Sequence, residues 1–160
     1  MSSFRLLSAA ARTAPRVLGR RGYAEAASDK LKLSLVLPHK SVFSQDVVQV
    51  NIPAESGDMG ILANHVPSIE ALRPGVVEVI EQTGSHKIFV SSGFATVHPN
   101  NKLTINVVEA APLEDFSVEA VRANLAEAKK VAAGNGSEEE KAAAGIEVEV
   151  YEALQHALAK

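Results

Sequence analysis

The hydrophobic pattern of this chain changes its period once, close to Pro112. Before that residue, apolar and polar side chains alternate, as they do over residues 31–37, and a period of two is typical of strands with one buried face. After it, apolar side chains recur every three or four residues, which is typical of helices that bury one stripe. The change predicts a fold of mixed class: an all-β sandwich, or flattened barrel, over residues 24–112, followed by a helical unit over residues 113–160.

Short strands and frequent turn signals support the sandwich. Besides residues 31–37, the predicted strands lie at 48–52, 76–80, 87–91, 93–97 and 103–108. Glycine, asparagine and proline predict turns at residues 82–85 and 98–101. Strands of this length and spacing are typical of antiparallel sandwiches and small barrels. The outer faces are expected to be polar, apart from a few valines.

Two alanine-rich helices are predicted after Pro112. Ser117 is a suitable N-cap for the first helix, the segment Gly134-Asn135-Gly136 ends it, and Ser137 with Glu140 forms a capping box for the second. So short a connection predicts an antiparallel helical hairpin. Because the side chains of its apolar stripes are small, the hairpin should need a partner surface, either the sandwich or another protein. The residues expected in the seam between the helices are Val121, Leu125, Ile146, Val150 and Leu154.

Residues 53–75 carry the densest series of chain-breaking residues. Pro53 should end the strand before it, because proline offers no N–H to a neighbouring strand. Gly57 and Gly60 suit a backbone that turns sharply or takes a positive φ. Pro74 and Gly75 suit the two central positions of a type II turn. These residues predict one elaborate loop at an end of the β-rich unit.

The order of residues in this stretch is more specific than its composition. The string PAESGDMGILANHVPSIEALRPG is similar to the signature of the δ/ε subunit family of F-type ATP synthases, whose members are called ε in bacteria and δ in mitochondria. Residues 92–97 and 110–116 also resemble segments of that family. The resemblance covers roughly residues 30–158.

The resemblance implies a non-catalytic subunit of the central stalk, on the matrix side of the mitochondrial inner membrane, that needs no cofactor. It implies that the sandwich binds the γ subunit and the ring of c subunits, with the small mitochondrial ε subunit nearby. The chain would then pass torque from the ring to the catalytic head.

Four residues are implied at the ring interface. Asp58 stands at the position of the acidic residue that meets the polar loops of the rotor ring, and Met59, Asn64 and His65 match neighbouring family positions. From the residues alone, Asp58 is also a solvated turn carboxylate, Met59 a core side chain and His65 a loop side chain that satisfies a carbonyl.

The first 23 residues have the composition of a mitochondrial transit peptide. They carry five arginines and several serines, have no acidic residue, and place apolar residues at near-helical spacing. The sequence Arg21-Gly22-Tyr23 before Ala24 resembles a processing site, so the mature chain should begin close to Ala24. A basic arm for nucleic acid would interleave lysines and aromatic residues, and the arginines interrupt any apolar core of a secretory signal.

Removal of this segment would leave an acidic chain. All 19 acidic residues and 11 of the 16 basic residues would remain, for a net charge of −8. Nucleic-acid phosphates and anionic lipid surfaces repel a chain of that charge. No apolar run approaches the roughly 20 residues that a membrane span needs. The sequence therefore argues against nucleic acid as a partner and against a membrane span.

The sequence offers little for catalysis. Its five histidines are isolated from one another, and it has no cysteine, no GxSxG motif and no phosphate-binding GK[ST] ending. Two other functions stay open. One is a nucleotide-sensing regulator, since some bacterial members of the family bind ATP in the hairpin; residues 118–130 keep Arg122 and Ala123 of that region but lack its repeated arginines. The other is a small matrix metalloenzyme on a β-barrel, which would require clustered His and Glu ligands.

Overall fold

The computed structural model describes residues 30–159, so the predicted transit peptide, residues 1–23, lies outside the described part of the chain. The predicted order, a β unit followed by two helices, is confirmed. A short 3-10 helix (Leu113–Asp115) leads from the strands into α1 (Val118–Ala132) and α2 (Glu138–Leu158). The strands are β1 (Leu31–Val36), β2 (Ser41–Val47), β3 (Gln49–Ala54), β4 (Gly57–Leu62), β5 (Ser68–Leu72), β6 (Gly75–Ile80), β7 (Ser85–Val90), β8 (Gly93–His98), β9 (Lys102–Val107) and β10 (Ala110–Pro112).

The strands form one continuous sheet that folds over as a sandwich, or nearly closed barrel. Its order is β10-β7-β6-β3-β5-β8-β9-β1-β2, and β4 pairs with β3 beside this path. Of the pairings in the described chain, only that of β1 with β9 is parallel. β3 joins the two halves of the sheet, because its first half pairs with β6 and its last residue, Ala54, pairs with Leu72 of β5.

The main core lies between the two layers of the sheet. The alternation that predicted β1 sends Leu31, Leu33 and Leu35 inward, and each is at most 1% exposed. Leucine, isoleucine and valine supply most of this core. Among residues 30–159 no charged side chain is buried with them.

The prediction of one elaborate loop over residues 53–75 is wrong. β3 continues through Pro53 to Ala54, β4 follows after a short turn, and β5 forms further along the same stretch. Pro53 is tolerated because it lies next to the end of β3 and keeps its carbonyl oxygen, which accepts a hydrogen bond from the Arg73 N–H at 3.1 Å. Gly57 closes the β3–β4 turn with a φ of 128°, which favours glycine.

The type II turn expected at Pro74 and Gly75 is also wrong. Gly75 begins β6 and does not take the positive φ that such a turn requires at its second central position. Glycine is needed at position 75 for packing instead, because a Cβ atom there would lie 2.9 Å from Cβ of Pro53. The glycine therefore lets the start of β6 pass close to β3.

Both helices begin at the predicted caps. Oγ of Ser117 accepts a hydrogen bond from the N–H of Ala120 at 3.4 Å. Oγ of Ser137 accepts one from the N–H of Glu140 at 3.2 Å, while the Glu140 carboxylate accepts one from the N–H of Ser137 at 2.8 Å, which completes the capping box. Each of these bonds joins residues three positions apart, so the sequence around each serine is enough to specify the cap.

The hairpin packs on the outer face of β6 and β7. Phe89 of β7 points away from the main core and joins Val121 of α1 and Leu154 of α2 in a second apolar cluster. The ring of Phe116 packs edge-on against Phe89, with 5.8 Å between ring centroids. Val121 lies near the start of α1 and Leu154 near the end of α2, and both join Phe89 in this cluster, so the helices are antiparallel. The sandwich thus supplies a partner surface of the kind that the hairpin was expected to need.

Candidate interface surfaces

Asp58 lies on the outer surface, at the tip of the hairpin formed by β3 and β4. It pairs with Pro53 across this hairpin, directly after the turn that Gly57 closes. Its Oδ1 atom accepts a hydrogen bond from Nη2 of Arg73 at 2.5 Å, and the two side chains are 76% and 44% exposed. Arg73 is placed there because its backbone N–H is bonded to Pro53. The structure therefore gives Asp58 a cationic partner within the chain, and the sequence did not predict this partner.

Met59 points to the opposite side of β4. It pairs with the buried Ile52, and its partly buried side chain packs on the main core. Neighbouring residues of a strand face opposite sides of the sheet, so Met59 faces inward where Asp58 faces solvent. Met59 can therefore support an interface only indirectly, because its side chain holds β4 against the core.

Asn64 and His65 belong to the connection between β4 and β5. Asn64 takes a left-handed φ of 62°, which asparagine tolerates, and its N–H donates to Oδ1 of Asn101 at 2.7 Å. Nδ1 of His65 lies 2.8 Å from the carbonyl oxygen of Val66, a contact in which the ring N–H donates to a loop carbonyl. The connection is thereby fastened to the turn between β8 and β9.

The four residues expected at the rotor ring do not form one patch. Asp58 lies at the start of β4, whereas Asn64 lies beyond its end. The four residue steps from Asp58 to Leu62 span roughly 13 Å of extended strand. A partner that touches both Asp58 and His65 would therefore have to cover the length of β4.

The expectation of polar outer faces is wrong for β5 and β8. Ile69 of β5 is 72% exposed and Phe94 of β8 is 58% exposed. Phe94 pairs with Ala71, and Ala71 lies two residues after Ile69, so all three side chains face the same side of the sheet. Val108 is also exposed and lines a surface groove together with Phe94. These four residues are called the Phe94 face below.

The sequence carries a signal for the Phe94 face. Ala95 and Val97 alternate with Phe94 and Thr96, so a period of two that buries Ala95 points Phe94 outward, as the structure shows. Exposed apolar residues that lie next to one another mark protein-binding surfaces, whereas single ones are common on any protein. The face is therefore a second candidate interface.

The seam between the helices holds some of the residues predicted for it. Val121, Leu125 and Leu154 are buried, and Val150 is half-buried. Along one edge of the seam, Nζ of Lys129 lies 2.8 Å from Oε1 of Glu152, which links the two helices by an exposed ion pair.

Ile146 lies outside the seam, with its side chain 66% exposed. Ala144 is buried on α2 instead. Residues two apart in a helix differ by roughly 200° around its axis, so one narrow stripe cannot include both positions. Ile146 faces an open, largely apolar groove between the hairpin and the sandwich, whose other lining residues include Phe89, Phe116 and Tyr151.

The described chain gives no support to the two alternative functions. Residues 30–159 contain no group of three or more His, Asp or Glu side chains that could hold a metal ion. Arg122, which the nucleotide-sensing alternative would use, is exposed on α1. Gly57 and Gly60 lie within a strand rather than in a loop that opens a helix, so they form no phosphate cradle. Within the part of the chain that the structure describes, no helix has the length and apolar character needed to cross a membrane.

Two family descriptions match the chain, one for each structural unit. Residues 30–112 match the description "ATP synthase, Delta/Epsilon chain, beta-sandwich domain". Residues 116–156 match "Fungal epsilon subunit of F1F0-ATP synthase C-terminal domain".

Individual relatives match over the whole length. The chain is 77% identical to ATP synthase subunit delta, mitochondrial, of Agaricus bisporus, over 100% of both chains. It is 60% identical to the protein of the same name from Neurospora crassa, over 99% of both. Among solved structures, it resembles a chain in the mitochondrial ATP synthase of Euglena gracilis, described as OSCP/F1/c-ring in rotational state 1. That match has a TM-score of 0.75 and 28% identity, and it covers 92% of this chain and 91% of the other.

Proposed function

This chain belongs to the delta/epsilon chain family of ATP synthase, and we propose that it is a rotor subunit of the central stalk in mitochondria. In this role it couples proton-driven rotation of the c-ring to the γ subunit, and so to ATP synthesis in the catalytic head. Its own contribution is mechanical: a stiff sandwich, three interfaces and no reacting group. It works on the matrix side of the inner membrane as a peripheral part of the complex, after loss of residues 1–23.

The Phe94 face is the observation that carries this proposal. Ile69, Ala71 and Phe94 lie on strands, Val108 directly follows β9, and none of the four belongs to the main core. A surface of this kind fits a partner that stays bound, because covering it removes apolar area from water at about 25 cal/mol per Å². The γ subunit is the partner that we assign to it. The connection that holds Asn64 and His65 leads directly into β5, so we assign it to the same contact.

The Asp58 tip is the surface that we assign to the ring. Its carboxylate and the Arg73 guanidinium are both exposed, and they present opposite charges side by side. Such a pair suits the polar loops of a ring, since it can accept and donate hydrogen bonds at once. Met59 supports the tip from inside. The ring contact is thus proposed for the start of β4 rather than for its whole length.

The groove beside Ile146 is a third surface that a stalk partner can use. It is open and mainly apolar, and it lies between the two structural units. The small mitochondrial ε subunit is the proposed neighbour there. A helix or loop in this groove would hold the hairpin on the sandwich.

The test is a charge placed in the Phe94 face. Phe94→Glu puts a carboxylate on the exposed sheet surface, so the sandwich should fold with little change, usually within about 0.5 kcal/mol. Binding of γ should be lost, because a charge buried at an interface without a partner is costly. The measurement is co-purification of the co-expressed γ subunit, together with the melting temperature of the variant.

Val118→Glu is the matched control. Val118 is also an exposed apolar residue, but it lies in the first turn of α1, where a glutamate is favourable. This variant should keep γ. If Phe94→Glu retained γ as well as the control does, the assignment of the Phe94 face would be wrong.

A further inference from the structure

Asn135 and Gly136 form the one Asn–Gly pair in the sequence. Both residues are exposed, and they lie in the connection between α1 and α2. Neither takes part in the interfaces proposed above. We propose that Asn135 is a site of spontaneous deamidation, which turns the tip of the helical hairpin into a mixture of aspartate and isoaspartate. The isoaspartyl form would be a substrate for carboxyl methyltransferases that act on exposed isoaspartate.

The chemistry needs nothing beyond the chain and water. The backbone nitrogen of Gly136 attacks Cγ of Asn135, and the new N–Cγ bond closes a succinimide ring. The attacking nitrogen loses its proton, and solvent carries that proton to Nδ2 of Asn135. The Cγ–Nδ2 bond then breaks, and the side-chain amide nitrogen leaves as ammonia. Water then opens the ring at either carbonyl, which gives aspartate from one and isoaspartate from the other.

The structure leaves the reacting atoms free. Within residues 30–159, no hydrogen bond holds the side chain of Asn135 or the N–H of Gly136. Glycine leaves the nitrogen unhindered, because it carries no Cβ, and it lets the backbone rotate toward the geometry of attack. The flanking residues are held: the N–H of Gly134 donates to the carbonyl of Val131 at 3.1 Å, and the N–H of Ser137 donates to Glu140. The residues on both sides are therefore held by hydrogen bonds, whereas within the described chain the Asn135 side chain and the Gly136 N–H are not.

Other asparagines of the chain lack this combination. The backbone of Asn124 is fixed within α1. At Asn64 the attacking nitrogen would be that of His65, whose N–H donates to the carbonyl oxygen of Leu62 at 3.3 Å and whose side chain crowds it. Both can be followed in the same sample, so they are internal controls.

The product alters a short connection next to a helix cap. Only residues 133–137 join the two helices. An isoaspartate adds one methylene group to the main chain there, and each product adds a carboxylate close to Glu138, Glu139 and Glu140 at the start of α2. The altered residue lies two positions before Ser137, whose capping box begins that helix.

The experiment follows the full chain during incubation in a mildly alkaline buffer. Trypsin releases residues 131–141 by cleavage after Lys130 and Lys141, and mass spectrometry separates the amide and acid forms of this peptide. A purified isoaspartyl methyltransferase with labelled methyl donor counts the isoaspartate. The reference rate is that of the free synthetic peptide 131–141 in the same buffer.

We expect the acid form to accumulate in the wild-type protein at a rate close to that of the free peptide, and methyl label to appear with it. Asn135→Gln should abolish both signals. Gly136→Ala should slow them, although its Cβ would lie 2.6 Å from Oε2 of Glu140, so this carboxylate has to shift and its capping bond to Ser137 weakens. The melting temperature of this variant shows whether the hairpin stays folded. A folded chain that reacts about tenfold more slowly than the peptide, equal to about 1.4 kcal/mol of local ordering, would overturn the proposal. Equal signals at Asn64 or Asn124, or in Asn135→Gln, would overturn it too.

Discussion

Asp58→Lys should separate the folding of the sandwich from its attachment to the rotor ring. The substitution removes the carboxylate that Arg73 contacts and places a second positive charge beside it. It also reverses the charge that the Asp58 tip presents to a partner. The two effects have different magnitudes, and the prediction rests on that difference.

The effect on folding should be small. Both side chains of the ion pair are well exposed, and exposed pairs contribute about 0.2–1 kcal/mol to stability. Residue 58 lies outside the main core. For a chain of this size, a loss of about 1 kcal/mol lowers the melting temperature by about 2–4 °C.

The effect on the ring contact should be larger. Like charges brought together across an interface cost several kcal/mol. Each 1.4 kcal/mol changes an equilibrium constant about tenfold, so a loss of about 3 kcal/mol would weaken attachment on the order of a hundredfold. The variant should therefore bind γ while its coupling to the ring fails.

The assay compares ATP hydrolysis with ATP-driven proton pumping in inner-membrane vesicles. We expect hydrolysis to continue while pumping falls, and we expect the ring to separate from the complex at raised salt, since salt screens exposed charges. Wild-type pumping combined with a wild-type melting temperature would show that Asp58 is a solvated turn residue. A collapsed melting temperature would show that the Asp58–Arg73 pair is structural.

The charge-swapped double variant, Asp58→Arg with Arg73→Asp, is the matched control. It restores an ion pair within the chain but keeps a positive charge at residue 58. If the ring reads the charge at this position, the double variant should couple as poorly as Asp58→Lys. Full recovery of pumping would refute the reasoning, because it would show that the internal pair is all that the tip requires.

Three further predictions follow from the hairpin, the missing phosphate site and the amino-terminal segment. Leu125→Asp should put an unpaired charge into the buried seam at a cost of several kcal/mol, so proteolysis should cut within residues 112–160 and leave a stable sandwich, whereas uniform loss of both would show one cooperative unit. The isolated chain should not bind ATP at millimolar concentration, and a calorimetric dissociation constant below roughly 100 μM, about −5.5 kcal/mol, would contradict this. The mitochondrial protein should begin within a few residues of Ala24, and an intact mass that still includes residues 1–20 would contradict that.

The two structural units could be predicted from the sequence because their signals are local. Alternation in β1 and the helical stripe after Pro112 depend on neighbours within a few residues. The caps at Ser117 and Ser137 join residues three apart, so the sequence around each serine is sufficient to specify them. Asp58 and Met59 were identified by family resemblance, not by chemistry that the sequence displays.

The stretch 53–75 could not be interpreted in the same way, because its structure depends on distant partners. β4 contains two glycines and little alternation, and it is a strand because it pairs along the length of β3. Gly75 is required by its approach to Pro53, 22 positions earlier in the sequence. Glycine and proline residues indicate that the backbone is constrained, but only the packed sheet shows whether the cause is a turn, a positive φ or a close approach of two strands.

What the sequence determined by itself is therefore the class of each segment, the helix caps and the family. Tertiary structure decided which residues share a surface. It placed Arg73 beside Asp58, moved Asn64 to the far end of β4, and gathered Ile69 and Phe94 from separate strands into one apolar face. The physical reason is that spacing along a chain fixes which side of a strand a residue faces, whereas strand order and register fix its neighbours, and those arise only when the sheet assembles.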